Sequence, residues 1–206
     1  VTTSESMIIA LVRHGETEWN RQRRWQGRQG VGLNELGRRQ ASAAAPLLRD
    51  IAWTWMISSP LDRARETAMI IADELAVVTS GDGLPLGDDD GVVERAYGAA
   101  EGVYSAEAAR RWPDGRFPGM ENDQELAERG AAALRRIAAE RSGNGIVVSH
   151  GSFIRATIDA LCGVDAPRIL NGSVSLLRTD GAGWELIDVN RVTDGAGAGL
   201  IEHSGG

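Results

Sequence analysis

The chain has 206 residues, 22 basic and 29 acidic side chains and a formal charge of −7, with 42% hydrophobic residues. That length suits one domain burying about 70% of the surface its unfolded chain would expose, and the acidity argues against nucleic acid as a partner. Every basic side chain is arginine, so P-loop chemistry, which needs a lysine, and Schiff-base chemistry, which needs an amine, are excluded.

No apolar run approaches the ~18 residues that would span a membrane. Val1 to Ser6 carries no basic residue, which speaks against a signal peptide. Cys162 is the only cysteine, so no disulfide can form within the chain, and a cytoplasmic location is expected. Arginine is unevenly spread: residues 13–39 hold seven arginines against three glutamates, a local positive surplus in an acidic protein. Such a cluster is either a solvated surface or a funnel for a small anion.

In chain order, "MIIALVR" reads as a buried strand that stops at Arg13-His14-Gly15-Glu16. Residues 15–33 read as a polar loop with Gly27, Gly30 and Gly32. Asn34 is an N-cap for a helix to about Asp50, and "WTWMIS", 53–58, is a strand. Ser59-Pro60 starts a helix expected to run to about Leu75, with Leu75 to Val78 as the next strand and 80–91 as loop. A short helix is expected over Ser105 to Trp112 and a long one over 121–141. "GIVVS" is a strand followed by His150-Gly151 and a helix to about Leu161. "SVSLLRTDGAGWELIDV" is a hairpin around Asp180-Gly181. The glycine-rich tail, 193–206, is expected to be disordered and to leave His203 inert, so the domain is 1–192. Recurring strand and helix indicate an α/β protein with a mostly parallel sheet.

Ligands of such sheets sit beyond the carboxyl ends of the strands. Two apolar strands end there in His-Gly, "LVRHG" and "VVSHG", and Arg63 lies just beyond a third. Arg13, Arg63, His14 and His150 around one point would make a cationic pocket suited to phosphate, which the planar guanidinium binds bidentately. Nearby arginines disfavour protonation of an imidazole and leave it nucleophilic. Glu94, after the apolar "GVV", is the candidate proton donor, and a dianionic phosphate beside it favours its protonated form.

Two other motifs fail. His14-Gly15-Glu16 has the His-x-Glu of zinc deaminases, but one cysteine cannot supply the C-x-x-C ligands. Asp88-Asp89-Asp90-Gly91-Val92 has the spacing of aspartate-nucleophile phosphatases, but no lysine exists to serve it. That segment reads as a solvated acidic turn, and Cys162 reads as a core thiol.

The ordered segments "LVRHGETEWNRQRRWQG", "SSPLDRARETA", "ERAYGAAEG", "PGMEN" and "IVVSHGSFIRA" resemble the histidine phosphatase superfamily, the phosphoglycerate-mutase-like proteins, from about Met7 to Val192. The resemblance implies a three-layer fold, with helices on both faces of a mostly parallel twisted sheet. It implies His14 as the phosphorylated nucleophile and Glu94 as proton donor, with His150 also catalytic. Arg13, Asn20, Arg63 and His150 would bind the phosphoryl group, and Gly15 and Gly151 would allow close backbone approach. Glu16 and Thr17 would be supports, and Arg24 and Gln26 would line the pocket mouth. A small phosphorylated substrate is expected, without cofactor or metal, nucleic acid or membrane; a homodimer stays open.

The chain departs from the family pattern at Gly30-Val31-Gly32-Leu33, where Asp-x-Pro-Leu is common, and at Met120 in "PGMEN". Only 18 residues, Gly102 to Gly119, join the proton-donor and "PGMEN" motifs. The shorter cover, with Gln26, favours hydrolysis over phosphoryl return. A phosphatase is therefore expected, ahead of a phosphoglycerate-type mutase and of a non-catalytic phosphate-binding module.

Overall fold

The computed structural model describes residues 6–79 and 84–193. The expected tail from 194 onward, with His203, lies outside the described residues. The strands are β1 (Met7–Arg13), β2 (Trp53–Ser58), β3 (Leu86–Asp88), β4 (Asn144–Ser149), β5 (Val174–Thr179) and β6 (Trp184–Arg191). They form one sheet in the order β3-β2-β4-β1-β5-β6. The first four pair in parallel, and β5 and β6 close the far side antiparallel.

The helices are α1 (Glu18–Arg21), α2 (Glu35–Ala44), α3 (Asp62–Thr79), α4 (Ser105–Arg111), α5 (Asp123–Glu140) and α6 (Gly151–Cys162). Strand side chains alternate between the two faces, and the cores follow that alternation. Ile9, Leu11, Ile57 and Val147 pack with Leu134 and Ile137 of α5 and Phe153, Ile154 and Ile158 of α6. Ala10, Val12, Met56, Ile146 and Val148 pack on the opposite face with Ala64, Ala68 and Ile71 of α3. Both faces are covered, which is why the central strands read as continuous apolar runs. Each fully buried Ile or Leu contributes about 1.5–3 kcal/mol of burial free energy.

Three expectations are corrected. Leu75 to Val78 is the end of α3 and not a strand. Leu75 continues the helical spacing of Ala64, Ala68 and Ile71 into the core, and a four-residue apolar run cannot distinguish strand from buried helix. The strand that does follow, β3, lies inside the expected loop. Its "LGD" has low strand propensity and is held at the sheet edge by pairing Met56 with Leu86 and Ser58 with Asp88. The expected 15–33 loop also contains α1, closed by a capping box between Thr17 and Asn20.

β1 and β4 are neighbours, with Arg13 opposite Ser149. The chain leaves β1 for α2 and leaves β4 for α6, which pack on opposite faces. The connections therefore diverge between these two strand ends and open a crevice beyond them.

The entry from β1 into that crevice depends on two facing glycines. A Cβ on Gly15 would lie 2.1 Å from the Gly37 carbonyl oxygen, and one on Gly37 would lie 2.1 Å from that of Glu16. Alanine normally strengthens a helix interior by about 1 kcal/mol over glycine, whereas overpacking costs about 1–3 kcal/mol. Backbone cannot move aside here, so Gly37→Ala should lower stability by about 1–3 kcal/mol in urea unfolding. A variant stabilised by about 1 kcal/mol would contradict the contact.

Candidate active site

The backbone around His14 is pinned on both sides. Arg13 N donates to Ser173 O (3.1 Å) and His14 N to Ser149 O (2.9 Å). Asn171 Nδ2 donates to the His14 carbonyl at 3.1 Å. The His14 ring is buried, and its Nδ1 lies 2.7 Å from the Gly15 carbonyl oxygen. A carbonyl can only accept, so the hydrogen sits on Nδ1 and Nε2 keeps its lone pair. Arg63 Nε donates to that Nε2 at 3.2 Å.

His150, at the end of β4, meets His14 edge-on with ring centroids 5.1 Å apart. Its Nε2 is 2.8 Å from Ser59 Oγ, which also accepts the Leu61 N–H. We assign the Ser59 proton to His150 Nε2, which leaves the imidazole hydrogen on Nδ1. That Nδ1 is buried and has no hydrogen-bond partner, and neither has Arg13 Nε. Buried donors without partners are uncommon, and each costs about 1–3 kcal/mol.

The electrostatics follow from burial of like charges. Burial, then the charges of Arg63 and Arg13, hold His14 well below the usual histidine range, and the hydrogen bond to the Gly15 carbonyl opposes this. Burial, then Arg63, His14 and Arg13, push His150 the same way. Both rings are neutral at pH 7. Burial also lowers Arg13 and Arg63 to about 10, yet both remain cations at pH 7.

Glu94 reaches the site from a segment tied to β4 by Ser149 Oγ donating to the Val92 carbonyl (2.7 Å). Its Oε1 accepts Arg95 N (2.8 Å) and Phe153 N (3.1 Å), and its Oε2 accepts Ser152 N at 3.3 Å. Of these donors, Ser152 N and Phe153 N lie in the first turn of α6 and Arg95 N is the next residue of Glu94's own segment. Beside it, Tyr97 donates or accepts at Ser152 Oγ (2.6 Å), and burial, then Glu94, raises the phenol to about 12.

The structure thus brings together Arg13, His14, Arg63, Glu94 and His150. Asn20 is placed near them but is engaged: its Oδ1 accepts Thr17 N (3.1 Å) and Asn171 Nδ2 (3.3 Å). Gly15 and Gly151 differ from expectation. The Gly15 N–H donates to Thr67 Oγ1 at 3.2 Å, and what approaches its backbone is Gly37. A Cβ on Gly151 would sit 3.2 Å from Arg13 Nε, so this glycine makes room for a guanidinium.

Arg24 and Gln26 are also corrected. Gln26 is buried, accepting from Thr17 Oγ1 (2.9 Å) and donating to the Val31 carbonyl (3.4 Å), so it braces the loop. Arg24 lies over the Tyr104 ring and donates to its hydroxyl at 2.7 Å. The mouth is instead a cleft of about 480 Å³ whose walls include Trp19, Arg28, Val31 and Leu61, with Arg63 at its lining. Ser59, Thr67 and Asn171 also touch the site, yet a serine before a helix, a mid-helix threonine and a loop asparagine carry no distinctive sequence pattern. Among the described residues, no group of three His, Cys, Asp or Glu side chains is placed to hold a metal ion, and no helix is long and apolar enough to cross a membrane.

Comparison with known proteins places the chain in a family. Residues 9–192 match the histidine phosphatase superfamily (branch 1). The "Uncharacterized phosphatase PhoE" of Bacillus subtilis (strain 168) is 35% identical over 187 residues, covering 88% of this chain and 93% of that protein. "Phosphoglycerate mutase-like protein 4" of Arabidopsis thaliana is 37% identical over 189 residues, 86% of this chain and 82% of the relative. A mycobacterial glucosyl-3-phosphoglycerate phosphatase solved with VO3 superposes with a TM-score of 0.79 at 26% identity, covering 89% of this chain and 98% of that one. With the family match spanning nearly the whole described chain, this protein belongs to the histidine phosphatase superfamily.

Proposed function

We propose that the chain is a phosphomonoester hydrolase that works through a phosphohistidine on His14. The observation that carries this reading is a buried imidazole whose Nε2 lone pair faces Arg63, with two buried nitrogens lacking partners beside it, the donor Arg13 Nε and His150 Nδ1, a donor in the tautomer assigned above. A tetrahedral phosphoryl group supplies the acceptors those donors lack, and positioned cations carry most of the catalysis in phosphoryl transfer.

In the first step, Arg63 Nε–H turns from His14 to a phosphoryl oxygen, and His14 Nε2 attacks phosphorus. The bond to the leaving oxygen breaks, and that oxygen takes a proton from Glu94. Oε2 is the better placed oxygen to carry that proton, because it accepts one backbone N–H while Oε1 accepts two. In the second step Glu94, now a carboxylate, takes a proton from water as the water attacks the phosphohistidine. Phosphate leaves and His14 is restored. The names of the relatives support this reading without deciding it, since they include phosphatases and a mutase-like protein. The short cover between Gly102 and Gly119 favours water as the final acceptor over a returned phosphoryl group.

Because arginines neutralise the phosphate in this mechanism, p-nitrophenyl phosphate hydrolysis should persist in EDTA and should not rise with Mg²⁺. Phosphate release should also outpace 2-/3-phosphoglycerate interconversion and need no 2,3-bisphosphoglycerate. Loss of turnover on chelation would refute the arginine-based account, and faster, bisphosphate-dependent isomerisation would favour a mutase.

A second expectation concerns Glu94. Glu94→Gln should lower turnover about 10²- to 10⁴-fold for alkyl phosphates, the range of a lost general acid. The loss should be much smaller for p-nitrophenyl phosphate, whose phenolate leaves without a proton. Equal losses on both substrates would make Glu94 a positioning group.

A further inference from the structure

The loop 26–32 crosses the front of the site, yet none of its backbone N–H groups reaches a backbone carbonyl among the described residues. Side chains hold it from two sides. On the N–H side is Glu101, whose Oε1 accepts Arg28 N (3.1 Å) and Tyr97 N (3.0 Å) and whose Oε2 accepts Gln29 N (2.9 Å). Gly27 fits this grip, because a Cβ there would lie 2.1 Å from Glu101 Oε1. On the carbonyl side is Arg63. Its Nη2 donates to the carbonyls of Gln26 (3.1 Å) and Gly27 (2.7 Å), and its Nη1 to that of Gln29 (3.3 Å). Two charged side chains therefore grip opposite edges of one short loop, and only Arg63 touches His14.

We propose that Glu101 is a positioning residue for the reaction: by holding the Arg28 and Gln29 N–H groups, its carboxylate fixes the carbonyls that aim Arg63 at His14. Its catalytic consequence rests on the phosphatase reading above, whereas the aiming of Arg63 does not. Beyond these two grips the loop is tied, among the described residues, only by side chains, with Gln26 Nε2 donating to the Val31 carbonyl (3.4 Å) and Arg28 Nε to the Glu94 carbonyl (3.4 Å), and Arg28 to Gly30 are exposed. Three N–H donors require both oxygens of a carboxylate. Glutamine keeps one acceptor and turns its NH₂ toward an N–H, leaving a donor unpaired. A displacement of about 1 Å in a site group is enough to cost on the order of 10²-fold in rate.

The alternative is that Glu101 merely closes its own turn through the Tyr97 N–H. Stability would then fall while turnover per folded molecule stayed the same. The test is a cycle of Glu101→Gln with Arg63→Lys, which keeps the charge but lacks the planar fork that bridges the carbonyls. In the native background Glu101→Gln should lower kcat/KM for p-nitrophenyl phosphate about 10- to 100-fold. In the Arg63→Lys background the same change should cost less than about 3-fold. Equal losses in both backgrounds, or no loss per folded molecule, would overturn the proposal. If Glu101→Gln does not fold, Glu101→Asp, which keeps both oxygens on a shorter stem, enters the same cycle with a smaller expected loss. The His14 Nε2 nitrogen resonance of the free enzyme gives a readout without turnover. It should move toward the value of an unbonded imidazole nitrogen in either Glu101 variant, and an unchanged resonance would overturn the proposal. A native enzyme inert toward phosphomonoesters would refute the phosphatase reading and leave that resonance to decide on Glu101.

Discussion

The Arg63 Nε–H directed at His14 Nε2, at 3.2 Å, is the contact on which the rest of the site depends. It puts a buried cation against a buried imidazole, and this arrangement is favourable only while the imidazole stays neutral. The Gly15 carbonyl settles which nitrogen carries the hydrogen, so the lone pair left over is the one facing the guanidinium. Burial and two arginines then keep the ring unprotonated at pH 7. Arg63 in turn stays in place because the carbonyls of Gln26, Gly27 and Gln29 take up its other donors. A loop, a helix start and a strand end are thus mutually fixed through one side chain.

That interdependence explains which parts were legible from residue order. The strand ends at Arg13-His14 and Ser149-His150 were readable because a buried run ending in His-Gly is an unusual local pattern. Their adjacency is a property of the sheet, in which β1 and β4 pair with Ile9 opposite Gly145 although 137 positions separate their first residues, Met7 and Asn144. The start of α2 at its Asn34 cap was legible for the same local reason. Leu75 to Val78 and β3 were not, since a short apolar run and a Gly-Asp strand take their states from the neighbours they pack against.

Glycine shows the difference most clearly. A glycine beside a catalytic candidate suggests room for a ligand, yet Gly15 accommodates Gly37, Gly151 accommodates Arg13 and Gly27 accommodates Glu101. In each case the missing side chain admits another part of the same chain. Sequence alone shows that space is needed at such positions and cannot show what fills it. Gln26 makes the converse point: a polar residue expected at the mouth is spent inside, between Thr17 and Val31.

The most direct measurement is the identity of the phosphorylated residue during turnover. Enzyme mixed with a phosphomonoester and quenched in alkali should carry one phosphoryl group on His14, stable to base and lost in acid. The same experiment on His14→Ala should show neither label nor turnover, and on His150→Ala should show weaker turnover with the label still on His14. A phosphoryl group on His150, or normal turnover in His14→Ala, would contradict the account.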